Sequence, residues 1–317
     1  MGPAKHSLAE RYDDYARRSV LEQTRPRRVE RSQPVTTPDW SGRSSTPRTK
    51  RLVIAGVVLV LVAGGLWWGV IERRNAVHFA PVAVPAGPYP WPGLSIDLDG
   101  WKVTLPVAGK KGHAANITPA VLAPPWLVQQ SDGSLRFWAP VCGVTTPNSD
   151  HPRTELDSLS GFTAGNSGPQ ALTASLAVSQ VPSVGGDIIV GQIHGSDDIS
   201  SVPFVMLRYS AGQLRVVVKK SQSGASSDKF PLLSRIPLGG WFEYSISDNG
   251  DGTLTVTASH GPDSQHVTVP IPPAFRGATV RFQAGNYQQG VSDPGGCTGL
   301  DGAMVTFAAL RQTRVTR

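Results

Sequence analysis

Four side chains of this 317-residue chain form a set suited to removing the proton beside a carboxylate: Arg153, Gln192, His194 and Tyr287. An arginine fork matches a carboxylate bidentately, and a glutamine amide can donate to the same group. A histidine or a phenol can take or return a proton. They fall in three separate segments, Arg153-Thr154-Glu155-Leu156, Gln192-Ile193-His194 and Ala284-Gly285-Asn286-Tyr287-Gln288-Gln289. No segment carries a nucleotide or metal fingerprint that would point to another chemistry.

These segments read as strands. Side chains i and i+2 of a strand share a face. Gln192 therefore points with His194, and Arg153 with Glu155. Arg281, Gln283, Gly285 and Tyr287 share another face, opposite apolar Val280, Phe282 and Ala284. Similar short runs recur from residue 94 onward, among them Leu135–Ala139, Ala171–Val178, Asp187–His194, Val205–Tyr209, Gln213–Lys219, Phe242–Ser247, Leu254–Ala258, His266–Val269, Thr279–Ala284 and Ala303–Leu310. Val, Ile, Thr and aromatic residues dominate them. Asn249-Gly250-Asp251-Gly252 is a hairpin signal. No long stretch has helical periodicity. The pattern predicts an all-β, two-sheet antiparallel sandwich over 94–317.

The remaining chain is of a different character. Residues 1–51 hold 12 Lys and Arg against 6 Asp and Glu, whereas residues 75–317 carry 16 of each. The basic excess belongs to the tail, so attraction of the domain for an acidic polymer must come from a local cleft. The tail is too poor in apolar residues for a core and is expected to be disordered and cytoplasmic. No nucleic-acid partner is expected, because aromatic interleaving is absent. Leu52 to Ile71 is 20 residues without a charge, long enough to cross a hydrocarbon core of roughly 30 Å as one helix. The arginines before it place the N-terminus in the cytoplasm and the domain outside. Secretion after cleavage of a signal peptide is the alternative. Residues 72–93, with five prolines, form a semi-rigid linker.

Taken in order, the three segments resemble the signature of polysaccharide lyase family 7, the alginate lyases. Trp101-Lys102-Val103-Thr104-Leu105-Pro106-Val107 is similar to the family's first strand. Phe137-Trp138-Ala139-Pro140-Val141-Cys142-Gly143 and Thr145-Thr146-Pro147-Asn148-Ser149 are similar to the approach to its arginine motif. The resemblance covers roughly residues 91 to 310. It implies a β-jelly roll with a concave substrate groove and β-elimination on a 1,4-linked uronate polymer, without cofactor or metal.

The same resemblance implies roles. Arg153 and Gln192 would neutralise the carboxylate, and His194 or Tyr287 would remove the C5 proton. Tyr287 would protonate the leaving O4. Glu155, Arg281, Gln283, Gln289 and Lys219 are expected to contact or frame the substrate, with Glu155 orienting Arg153; Arg208, Arg215 and Lys220 either line the groove or sit on a solvated face. His151, just before the arginine motif, is a further candidate. Two departures bear on the polymer. Arg281-Phe282-Gln283-Ala284-Gly285 stands where Tyr-Phe-Lys-Ala-Gly is common, and Asp157 where arginine is common. Ile193 between Gln192 and His194 accompanies guluronate-containing substrates in the family.

Cys142 and Cys297 both follow the apolar run, and an extracytoplasmic setting permits their disulfide. Two other functions fit the same sandwich. One is a carbohydrate-binding module without catalysis. The other is a glycoside hydrolase using a carboxylate pair drawn from Glu155, Asp157 and Asp187.

Overall fold

The computed structural model describes residues 96–291 and 299–314. Strands are numbered in chain order. One sheet runs β11 (Ser227–Leu233), β10 (Gln213–Lys219), β9 (Pro203–Ser210), β8 (Asp187–Gly195), β15 (Thr279–Gln288), β5 (Arg153–Ser158), β1 (Trp101–Ala108), β2 (Ala114–Ile117), with β6 (Phe162–Thr163) also pairing β15. The other runs β14 (Asp263–Pro270), β13 (Thr253–His260), β12 (Trp241–Asp248), β7 (Gln170–Gln180), β16 (Gly302–Arg314), β4 (Leu135–Pro140), β3 (Leu127–Gln129). The pairings of the three site strands, β8, β15 and β5, are antiparallel. The fold is the expected jelly roll.

Alternation fills the space between the sheets. Leu156, Ile193, Phe282 and Ala284 are fully buried beneath the site strands. Phe137 meets Phe307 edge-on at 5.1 Å, and Phe162 meets Phe282 at 4.9 Å. Burying one such ring is worth roughly 1.5–3 kcal/mol. Inward polar groups are paired across the sandwich. Asn286 donates to the carbonyls of Phe137 and Ala303, and Thr154 to that of Trp138. Tyr244 on β12 donates to the carbonyl of Val190 on β8 at 3.0 Å. Burial pushes the Tyr244 phenol far above its ordinary range, with a smaller push from Glu155, so it stays a donor.

The expected strands are present, most of them a residue or more longer than read. The strand Ser227–Leu233 was not expected. It carries Asp228, Lys229 and Pro231, which break the apolar pattern. It survives because it is the edge strand, where a missing N–H costs no ladder bond. The expected tail, membrane helix and linker all fall within residues 1–95 and lie outside the described residues. Among the described residues no helix is long and apolar enough to cross a membrane.

Candidate active site

The sheet brings the three segments together as neighbours, in the order β8, β15, β5. Across β15 and β5, Tyr287 lies opposite Arg153, Gly285 opposite Glu155, and Gln283 opposite Asp157. Across β15 and β8, Gln283 lies opposite Gln192 and Arg281 opposite His194. Every one of these polar side chains is therefore on the face turned away from the core.

At the centre, Arg153 Nη1 donates to Glu155 Oε2 at 2.9 Å, and its Cζ lies 3.4 Å from the centroid of the Tyr287 ring. The cation is thus held between a carboxylate and an aromatic face. Gln192 Nε2 donates to Glu155 Oε1 at 2.6 Å and to Gln283 Oε1 at 3.0 Å. Burial raises the Glu155 carboxyl above its usual range, while Arg153 and Gln192 pull against that shift. A buried ion pair of this kind adds little net stability and fixes geometry instead. Two atoms are left over: Arg153 Nε and Gln192 Oε1 are buried without a partner.

Tyr287 is placed by its backbone and by a loop. A bulge interrupts the β15–β8 ladder between Ala284 and Tyr287. Gly285 sits there at φ 148°, a conformation L side chains rarely adopt. A Cβ at Gly285 would meet Thr154 O at 2.7 Å and Glu155 Cα at 2.9 Å. The Tyr287 hydroxyl lies 2.8 Å from Ser149 Oγ, in the loop before β5.

His194 Nδ1 lies 3.2 Å from the carbonyl oxygen of Gly195. A carbonyl accepts, so Nδ1 carries the proton and Nε2 keeps a lone pair. Burial lowers the imidazole to about 4, the nearby Arg281 and Arg153 charges add to this, and the Gly195 carbonyl and Asp157 partly oppose it. The ring is neutral at neutral pH.

Two acid-centred clusters flank the centre. Asp157 holds Lys102 Nζ at 2.9 Å and Arg281 Nε, and Arg281 Nη1 reaches Ser196 Oγ at 2.9 Å. Lys102, Arg281 and Ser196 line a cavity of about 570 Å³. On the other side, Asp187 holds Arg215, with Arg208 at 3.4 Å. Arg208 also donates to Gln289 Oε1 at 3.1 Å.

The expected residues fare differently. Arg153, Glu155, Gln192, Gln283 and Tyr287 form one connected set, with His194 and Arg281 beside it. Gln289 is bound to Arg208. Lys219 gives its Nζ to the carbonyl of Gly224 at 2.6 Å, within its own hairpin, and makes no described contact with the central set. His151 faces the Gly290 carbonyl at 3.1 Å through Nδ1. Glu155, Asp157 and Asp187 are each tied to arginine, a poor arrangement for a hydrolytic carboxylate pair. The Gln192 amide, expected to donate to substrate, has both protons engaged within the protein. Cys142 is half-buried just after β4, while Cys297 lies outside the described residues, so their expected bridge does too. The structure adds Ser149 and Lys102 to the expected site residues. A serine in a loop and a lysine on a strand carry no signal until the register is known.

A family model described as alginate lyase matches residues 96–314, and the chain belongs to that family. Comparison with curated proteins gave no match. Among solved structures, the chain is similar to alginate lyase A1-II′, a member of polysaccharide lyase family 7, at 27% identity and a TM-score of 0.59, over 70% of this chain and 97% of that one. It is similar to an alginate lyase from Pseudomonas aeruginosa at 28% identity and a TM-score of 0.60, over 69% of this chain and 100% of that one. A substituted form of A1-II′ in complex with substrate (GGMG) matches at 27% identity and a TM-score of 0.60, over 73% and 99%. The chain is a polysaccharide lyase.

Proposed function

We propose that residues 153–287 carry out β-elimination on a 1,4-linked uronate chain with Arg153, His194 and Tyr287 as the acting groups. The convergence of Arg153, Glu155, Gln192 and Tyr287 on one face supports this reading most. The C5 proton is weakly acidic because it lies next to a carboxylate. Its removal puts charge on that carboxylate, and a guanidinium already fixed by Glu155 stabilises the charge without reorganising. Either His194 Nε2 or the Tyr287 phenolate accepts the C5 proton. The C4=C5 double bond forms as the C4–O bond breaks, and Tyr287 delivers a proton to O4. The two sugar epimers offer their C5 proton on opposite faces, so one site can use a different base for each.

The test is elimination on a panel of mannuronate, guluronate and glucuronate polymers, read as the ultraviolet absorbance of the unsaturated uronate end. Tyr287→Phe removes one hydroxyl and is expected to cut turnover about 10²–10⁴-fold with binding nearly intact. Near-parental elimination by Tyr287→Phe would overturn the acid assignment. Saturated ends in place of unsaturated ones would overturn elimination itself.

The domain is further proposed to work outside the cell on an uncleaved anchor, residues 52–71, with a Cys142–Cys297 disulfide. The uncharged run and the arginines before it support the anchor. Mass analysis of unreduced peptides checks the bridge, and recovery of both cysteines as free thiols would refute it.

A further inference from the structure

We propose that residues 85–95 of this chain dock in a groove on the back of the sheet that does not carry the site strands, and so belong to the lyase domain rather than to the linker. The groove encloses about 490 Å³ and crosses β16, β7, β12, β13 and β14, with Ala309, Ser175, Ser245, Thr257 and Ser264 along it. Strand alternation sets its side of the sheet. Leu172, Leu176, Phe242, Ile246, Leu254 and Val256 are buried in the core. The alternate positions, Thr173 and Ser175, Glu243 and Ser245, Thr257 and Ser259, turn the other way and line the groove. Strand β14, at the edge, is largely exposed. Ser175 and Ala177 of β7 also turn outward, yet both are buried. The back of the sheet is thus solvated at one edge and withdrawn from water at β7.

The point where the chain enters argues for the occupant. Ile96, the first described residue, is buried and lines the groove together with Leu310. Residues 85–95 are therefore delivered to the groove by their own continuation. Their sequence is Pro85-Ala86-Gly87-Pro88-Tyr89-Pro90-Trp91-Pro92-Gly93-Leu94-Ser95, with four prolines and no charge. Such a stretch favours polyproline II geometry, with about three residues per turn. Pro85, Pro88, Trp91 and Leu94 then share one edge, an apolar stripe with a period of three. At about 3.1 Å per residue the stripe is about 28 Å long. Five strands at about 4.8 Å spacing span about 19 Å, so the stretch is long enough to cross the groove. Its hydrogen-bonding needs match as well. Proline keeps a carbonyl and lacks an N–H, so the segment needs donors. The hydroxyls of Ser245, Thr257 and Ser259 supply them. A segment already extended by proline loses little entropy on docking.

Hydroxyl-radical footprinting of the full-length protein in detergent micelles reads the exposure of Trp91. Labelling of Trp91 is expected to be about tenfold slower in the parent than in Thr257→Arg, where a long charged side chain stands in the groove. Thr257 is exposed on β13, so the variant keeps its fold, which a cooperative melting transition verifies. In a second arm, Trp91→Ser is expected to lower the melting temperature of the domain, and adding Thr257→Arg to it to lower that temperature no further. Equal labelling of Trp91 in parent and Thr257→Arg, or melting losses that add, overturns the proposal. Protection of Trp91 that fades on dilution gives the groove to a second copy of the chain and overturns it too. So does protection that develops only when a uronate oligosaccharide is added, which gives the groove to the sugar.

Discussion

Ser149 Oγ and Tyr287 Oη lie 2.8 Å apart, and the same serine oxygen accepts the N–H of His151 at 3.1 Å and reaches its carbonyl at 3.0 Å. Serine has one proton to place. It can point at the His151 carbonyl while the phenol donates to Ser149, or turn to a phenolate and donate to it. The hydroxyl thus serves both protonation states of Tyr287. Ser149→Ala is expected to lower kcat about tenfold with KM little changed, and Ser149→Thr to recover most of the loss. Steady-state kinetics on one polymer decide it. A loss confined to KM would assign Ser149 to substrate binding instead.

His194 links stability to pH. Its folded-state value is about 4 against an ordinary 6.5, so below 6.5 the unfolded chain binds the extra proton first. Its contribution is present above pH 6.5 and is lost as pH falls toward 4. Because His194 is only partly buried, the effect is on the order of 1–2 kcal/mol. Denaturant titrations between pH 4 and 7 should show a shallower slope for His194→Asn than for the parent. Equal slopes would mean that the imidazole titrates normally.

Gly285→Ala should damage the site at its hinge point. The added methyl meets Thr154 O and Glu155 Cα, backbone atoms that cannot swing away. A destabilisation of about 2 kcal/mol or more is expected, with turnover falling beyond what the unfolded fraction explains. Thermal melting and activity measured on the same preparation separate the two effects. A variant that melts with the parent would show that the bulge relaxes freely.

Tyr244→Phe removes the bond that ties β8 to the second sheet and leaves the Val190 carbonyl buried without that donor. The expected cost is about 1–3 kcal/mol, read as a lower melting temperature. An unchanged melting temperature would show that the carbonyl finds another donor.

Protease added to intact cells should remove the lyase domain and spare residues 1–51. Protection of the domain until lysis would rule out an outward orientation.

The strands of apolar alternation were legible from sequence because burial on one face writes a period of two. β5 was legible in another way. All six of its residues are buried, three of them charged, and no propensity rule reads Arg-Thr-Glu-Leu-Asp-Ser as the middle of a sheet. Its place came from resemblance. The partners of Arg153 could be guessed, since Glu155 shares its face. The direction of the Gln192 amide could not, because it depends on Gln283 being its exact cross-strand neighbour. The clustering of Lys102 and Arg281 on Asp157 was equally hidden, because it joins three strands through register alone.

The central position of β15 has a consequence for when the enzyme becomes active during its own synthesis. β5 can find no β15 to pair with until residues 279–288 have been made, and Tyr287 follows Arg153 by 134 positions (287 − 153). Long-range pairings of this sort close late and slowly. The two earlier site strands wait as neighbours-to-be with an empty lane between them. The nascent chain therefore carries an arginine, a glutamine and a histidine but cannot assemble the site before the penultimate strand has been made.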